Sequence, residues 1–315
     1  MTDRVLDISE TAARLHARGS LLAIARMDAP EKPPVRGARR HDPDLGEPAE
    51  FTIPFAEIAA VVAAHPQVSF SRAAVAGLAH AGGILVVCDD KFQPAAMFLP
   101  LTGHHLQSER FRIQAQAPKP LQKQIWKQIV CAKITAQARA LESECGSKGN
   151  LARLCERVKS GDPENIEGQA ARIYWRRIFH DEAFVRDPDG EPPNNLLNYG
   201  YAVLRAVTAR AICAAGLHPA LGVHHHNRYD PFCLASDLME PLRPLVDRAV
   251  CALVRERGLN IELDRETRGL MIAALTQKLD FNGERRSVFD ILNRMAASLF
   301  QAFESNKPAI ALPDF

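Results

Sequence analysis

Three adjacent histidines, His224, His225 and His226, stand in the stretch LGVHHHNRYDPFCLASDLMEPLRP, residues 221–244. Carboxylates follow them: Asp237 and Glu240 are three residues apart and share one face of a helical run, with Arg243 one further step along. Imidazole nitrogen and carboxylate oxygen together suit a divalent ion such as Mn, Mg or Zn. A purely structural zinc fits less well, because such sites usually take cysteines and close four-coordinate. Consecutive residues cannot all face one centre, so at most one or two of the three histidines can be ligands. Asp237 is open to two readings, a group that orients a ligand or a salt-bridge partner on the helix face. Arg243 pairs with Glu240 or Asp237, or meets a phosphate.

A second segment, ENIEGQAARIYWRRIF at residues 164–179, offers one more carboxylate. Glu167 precedes Gly168, and Ala170 and Ala171 follow, small neighbours that let another backbone or a ligand come close. Tyr174, seven residues on, lies on the same helix face as Glu167, while Arg172 and Arg176 form a separate basic pair. Either Glu167 joins the histidine stretch in one helical bundle, or it is a surface glutamate on a helix packed through its alanines.

The elements that must position these groups follow from length and pattern. With 315 residues, 47% of them hydrophobic, the chain exceeds what one core usually organises, which predicts two domains. The formal net charge is only +2, so the sum neither demands nor excludes a nucleic-acid partner. Seven scattered cysteines with no CxxC pair argue against a disulfide framework or a thiolate zinc site and for a reducing cytosol. The N-terminus has no apolar signal core and nothing approaches the roughly 20 apolar residues of a membrane span, so a soluble, cytoplasmic protein is expected.

Residues 1–102 read as strands at Val5–Ile8, Ala13–Leu15, Leu21–Ile24, Phe51–Ile53, Ile58–Val62, Ile84–Cys88 and Ala96–Leu101. One helix, Arg72–Ala81, is capped by Ser71 and ended by Gly82-Gly83. Between them, residues 28–50 are rich in proline and arginine and read as an exposed insertion, whose Arg36, Arg39 and Arg40 touch solvent or a phosphate backbone. From residue 103 to 315 the spacing is helical, at Gln122–Leu141, Leu151–Val158, Glu164–Phe179, Asn195–Ala215, Cys233–Arg257, Arg265–Leu279 and Arg286–Glu304. Lys123, Lys127 and Lys133 fall outside the apolar positions read for the first of these. Asp162, followed by Pro163, is the expected cap of the third, and Asn194 or Asn195 that of the fourth. The fold class is thus α+β, a small β-rich domain followed by a larger all-helical one.

Three motifs taken in order carry a resemblance: IEGQAARIYW, then NNLLNYGYAVLRAVTARAICAAGLHPALGVHH, then FCLASDLMEPLRP. Together they resemble the CRISPR-associated spacer-acquisition integrase family, CRISPR-associated protein one, over nearly the whole chain. The triple histidine and LPLTGHHLQSERF look most like the version in type II systems. The resemblance implies a metal site of Glu167, His225 and Glu240, also the catalytic residues, with Asp237 in support and His224 or His226 as alternatives to His225. It implies Mg2+ or Mn2+, nuclease activity on branched DNA, and integration of short foreign duplexes into the CRISPR repeat array. It further implies a homodimer formed through the β-domain, with two dimers flanking a dimer of CRISPR-associated protein two. The 28–50 insertion is longer than that family leads one to expect.

The chemistry stands beside the resemblance. Joining a DNA 3′-hydroxyl to a phosphodiester needs an activated hydroxyl and a neutralised phosphoryl charge, which a divalent ion with open positions supplies. Arg172, Arg176, Arg177, Arg243 and Arg248 are candidates to hold the DNA backbone, with salt-sensitive and largely sequence-independent affinity. Two rival readings use the same residues: a hydrolytic nuclease with water as nucleophile, and a non-catalytic DNA-binding scaffold whose acidic residues cap helices.

Overall fold

The computed structural model describes residues 4–27, 50–89 and 94–314. The expected Pro/Arg-rich insertion, including Arg36, Arg39 and Arg40, lies outside the described residues except for Glu50. The chain divides into two compact units, Met1–Leu101 and Thr102–Phe315.

The first unit holds two four-stranded sheets. One runs β1 (Arg4–Ile8), β5 (Ile58–Ala63), β7 (Ile84–Cys88), β8 (Pro94–Phe98) in spatial order, parallel except at the β7–β8 edge. The other runs β4 (Glu50–Pro54), β3 (Leu21–Arg26), β2 (Ala13–Arg18), β6 (Ser69–Phe70), antiparallel until β2 meets β6 in parallel. β5 reads IAAVVA with every side chain buried, the continuous apolar run that a central parallel strand needs. Leu15, Leu22 and Ile53 of one sheet pack in a single cluster with Ile58, Val61 and Leu85 of the other and with Leu78 of α1 (Arg72–His80). Ser71 caps that helix by accepting from the Ala74 amide at 3.1 Å.

The second unit is helical except for one hairpin. Its helices are α2 (Gln107–Ala115), α3 (Lys119–Cys145), α4 (Leu151–Arg157), α5 (Ile166–Ile178), α6 (Asn194–Ala214), α7 (Cys233–Met239), α8 (Arg243–Arg257), α9 (Arg265–Thr276) and α10 (Val288–Ser305). The single helix expected over Cys233–Arg257 is broken by a 3-10 turn, Glu240–Leu242. Pro241 and Pro244 lack the amide protons that a continuous helix would need there. The helices expected at Arg265–Leu279 and Arg286–Glu304 each run two residues into a strand pair, β9 (Lys278–Phe281) and β10 (Glu284–Ser287), paired antiparallel. Asn282 and Gly283, at φ +51° and +80°, supply the left-handed pair that a two-residue hairpin turn requires. Neither asparagine is the N-cap of α6: Pro193 holds that position, and Asn194 accepts from the Arg186 guanidinium at 3.0 Å and the Asp187 amide at 3.0 Å.

Candidate metal centre

Glu167 stands in the first turn of α5. The cap of this helix is not the expected Asp162 but Asn165, held at φ +50°, whose side chain accepts from the Gly168 amide at 3.0 Å. Asp162 adds a second anchor from outside the helix, accepting from the Ile166 amide at 2.8 Å and from the Glu167 amide at 2.9 Å. Two side-chain acceptors on three orphan amides fix the start of α5 and the Cα of Glu167 with it. What comes close at Gly168 is the Asn165 cap itself, 2.7 Å from where a Cβ would stand. Tyr174 does not turn toward Glu167. Its hydroxyl donates to Asp247 Oδ2 at 2.8 Å.

The histidine turn is wrapped around Asp237, which is fully buried. Asp237 Oδ2 accepts from the amides of Val223 at 2.7 Å and His224 at 2.9 Å, while Oδ1 takes the His225 amide at 3.3 Å and His225 Nδ1 at 2.5 Å. A charged acceptor on consecutive amides is a strong local organiser. The wrap is tight: a Cβ on Gly222 would stand 2.4 Å from the His225 carbonyl and 2.9 Å from Asp237 Oδ2. Gln114 of α2 holds the approach to this turn, donating to the carbonyls of His218 and Leu221 at 3.1 and 3.0 Å.

The three histidines therefore separate. His225 binds Asp237 through Nδ1, which leaves Nε2 as its outward nitrogen. His224 stacks flat on Trp126, centroids 4.2 Å apart and planes within 2°. His226 is exposed, with Nε2 3.4 Å from Lys119 Nζ. The Asp237 hydrogen bond raises the His225 pKa above the ordinary imidazole value against the opposing effect of burial, with Asp237, Glu240 and Glu167 charges adding to it.

Glu240 opens the 3-10 turn after α7 and is 3% exposed. Its Oε1 pairs with the Arg243 guanidinium at 3.0 Å and its Oε2 with Lys133 Nζ at 2.5 Å. Lys133 Nζ also lies 2.5 Å from Glu167 Oε1. Burial pushes the Glu240 carboxyl up, yet Arg243 and Lys133 more than offset it and hold it below the usual carboxylate range. Burial likewise pushes the Lys133 ammonium down, and the charges of Glu240 and Glu167 outweigh it, raising its pKa.

Glu167 and Glu240, 73 positions apart, thus meet on one cation. Lys133 falls outside the apolar positions that the sequence marks on α3, whereas the structure buries it to 8% exposure. Helical arithmetic carries that signal: Lys133 is four residues from Ile129 and three from Val130, both fully buried. Sequence reasoning also misses Asp247. It is 1% exposed on α8 and takes the hydroxyls of Tyr174 and, through a short bond, Tyr201. Arg243 lies 4.7 Å over the Tyr201 ring, so this buried group continues to Glu240. Of the five arginines read as DNA contacts, Arg172, Arg176 and Arg177 are exposed on α5. Arg243 is committed to Glu240, and Arg248 faces Glu144 at 3.8 Å.

The donor set suits a divalent ion. Glu167 Oε1 and Glu240 Oε2, from distant segments, both face one cation at 2.5 Å, and carboxylate oxygens are the donors that a hard divalent ion takes. Glu240 Oε2 is buried, and Lys133 Nζ is the charge it faces. A histidine whose other ring nitrogen rests on a carboxylate is the usual form of a metal-ligating imidazole. As the side chains stand, no three His, Cys, Asp or Glu side chains form a ready metal-binding group among the described residues. Lys133 is the cation between the two glutamates.

The fold is shared with a casposase and with a chain of a CRISPR-associated complex. A casposase bound to integration product superposes with TM-score 0.76 at 19% identity, covering 100% of this chain and 94% of that one. A chain of a Cas6-RT-Cas1–Cas2 complex gives TM-score 0.72 at 18% identity, over 98% of this chain and 36% of that one. In sequence, the CRISPR-associated endonuclease Cas1 of Neisseria meningitidis serogroup C (strain 8013) is 35% identical over 268 residues, 84% of this chain and 87% of the relative. Residues 42–279 match the family described as CRISPR associated protein Cas1, and the chain belongs to that family.

Proposed function

We propose that this chain is the integrase and endonuclease of CRISPR adaptation, and that its helical unit carries a metal-dependent DNA strand transfer. Family membership and the casposase-like fold support the activity. The observation that carries the assignment to residues is the meeting of Glu167 and Glu240 on one cation, beside a histidine seated on a buried aspartate. In this reading Glu167, Glu240 and His225 Nε2 hold Mg2+ or Mn2+. A bound ion supplies Lewis-acid neutralisation of phosphoryl charge and activation of the attacking hydroxyl.

The chain's own groups do the rest. Asp237 fixes the imidazole plane and directs Nε2 away from itself. Arg243 holds Glu240 in one rotamer and brings a second positive charge to the site. The exposed Arg172, Arg176 and Arg177 of α5, one helix with Glu167, contact the DNA backbone. The substrates are a protospacer duplex and the CRISPR repeat. The partner is a small protein of the Cas2 family, a reading supported by the fold shared with a chain of the Cas6-RT-Cas1–Cas2 complex. In this reading the chain forms a homodimer through its strand-rich unit, and two such dimers flank a dimer of that partner, in the cytoplasm. Among the described residues no helix is long and apolar enough to cross a membrane.

The test is Glu167→Ala. It should lower integration of a short duplex into a repeat-bearing plasmid on the order of a thousandfold or more, with DNA binding retained. Retained integration overturns the assignment. One observation favours the rival scaffold reading, the neutralisation of both glutamates by Lys133. Under that reading the wild-type protein shows no manganese-dependent stabilisation and no activity.

A further inference from the structure

Lys133 is a flexible ammonium at the end of a four-carbon stem, buried where two anionic side chains from distant parts of the chain converge. Without it, Glu167 and Glu240 would repel each other in a poorly hydrated place, a cost that grows as the local dielectric falls. Its two contacts, 2.5 Å to Glu167 Oε1 and 2.5 Å to Glu240 Oε2, engage both carboxylates of the proposed metal site. An ammonium and a divalent ion cannot both sit between them. Arg243, by contrast, uses the other oxygen of Glu240 and does not compete.

We propose that Lys133 is the built-in counter-ion of this site: it holds the two glutamates together in the metal-free protein, and a divalent ion enters only by displacing it. This rests on the metal reading given above. The displaced ammonium stays tethered to α3, so the loaded site has gained charge: a divalent ion has entered and no cation has left the protein. A DNA phosphate brings negative charge to the same place. Metal affinity is therefore held down in the free protein and rises when DNA is present, and by linkage metal strengthens DNA binding equally.

The experiment is titration of Mn2+ into the DNA-free protein by calorimetry, for wild type, Lys133→Met and Glu167→Ala. Lys133→Met should bind Mn2+ about tenfold more tightly or better, since a competing unit charge is gone. It should also unfold at a lower temperature than wild type without metal and recover with Mn2+. A short duplex should raise wild-type Mn2+ affinity more than that of Lys133→Met. An ordinary structural salt bridge would lower the unfolding temperature but leave Mn2+ affinity unchanged or weaker, and that result overturns the proposal.

If neither wild type nor Lys133→Met binds Mn2+, with or without the duplex, or if wild type binds it equally well after Glu167→Ala, the metal reading itself fails. Wild-type binding lost with Glu167→Ala but unaltered by Lys133→Met sinks the Lys133 role alone. Should Lys133→Met not fold, the same question is put to wild type by acylating its amines with and without Mg2+ and locating the labels by mass spectrometry. Lys133 should be protected without metal and become reactive with it. Equal labelling in both conditions overturns the proposal.

Discussion

β5 passes through the strand-rich unit with all six side chains buried and none of them polar, whereas α3, α5 and α8 of the helical unit bury Lys133, Tyr174 and Asp247 among their apolar neighbours. Among the described residues, every buried charged side chain belongs to the helical unit. The two regions solve different problems. In the sheets, area removed from water stabilises the fold and any well-fitting hydrophobe serves. In the helical unit, each buried charge must find a partner, and the partners come from distant segments: Lys133 with Glu167 and Glu240, Asp237 with the histidine turn, Asp247 with two tyrosines. Such pairs add little net stability, because desolvation offsets the attraction. Their effect is to specify geometry, which the proposed strand-transfer site needs and a core does not.

This contrast can be broken by substitution. Leu22, 2% exposed between the sheets, should cost about 2–5 kcal/mol of stability as Leu22→Ala. Chemical unfolding of the whole chain measures it, and Mn2+ affinity of the folded protein should not move. A parallel loss of metal affinity would show that the strand-rich unit does more than fold.

Asp247 sharpens the comparison from the other side. Burial pushes its carboxyl up to about 6, with the hydroxyls of Tyr201 and Tyr174 and the charge of Arg243 pulling it back. An acid whose pKa is raised on folding binds more protons folded than unfolded, so its contribution is full below its unfolded pKa near 4. That contribution is lost as pH rises through about 6. The effect should be no more than about 3 kcal/mol. Asp247→Asn should remove that slope from the stability–pH curve between about pH 4 and 6. An unchanged slope would assign it to other groups.

Asp237→Asn is the smallest of the three. The amide keeps the size of the carboxylate but loses charge and one acceptor, loosening the turn from Val223 to His225. Metal affinity should fall roughly 10–100-fold, the usual cost of removing the group behind a ligating histidine. Calorimetry measures that, and an unchanged Mn2+ affinity would show that Asp237 does not position the imidazole.

Local chemistry was legible along the chain because its causes lie within a few residues. The strands around β5, the Ser71 cap and the apolar face of α3 all follow from short-range pattern. The misreadings have local causes too. Pro241 and Pro244 inside an apolar helical spacing are punctuation that periodicity overrides, and Asn282-Gly283, between the helices expected to Leu279 and from Arg286, is a hairpin turn signal left unread. Among the site residues, carboxylates and histidines could be named as candidates by type, and a family resemblance was needed to choose His225 from its neighbours.

What the sequence determined by itself was the inventory: a strand-rich segment, a helical remainder, and two stretches bearing the groups that can hold a divalent ion. Tertiary structure alone decided which of those groups meet. Asp237 sits behind His225 because the turn folds back on α7, and Glu167 reaches Glu240 because Lys133 on a third element draws both carboxylates to one point. No window of sequence contains that arrangement, because the attraction between buried charges acts through space and takes no account of their separation along the chain.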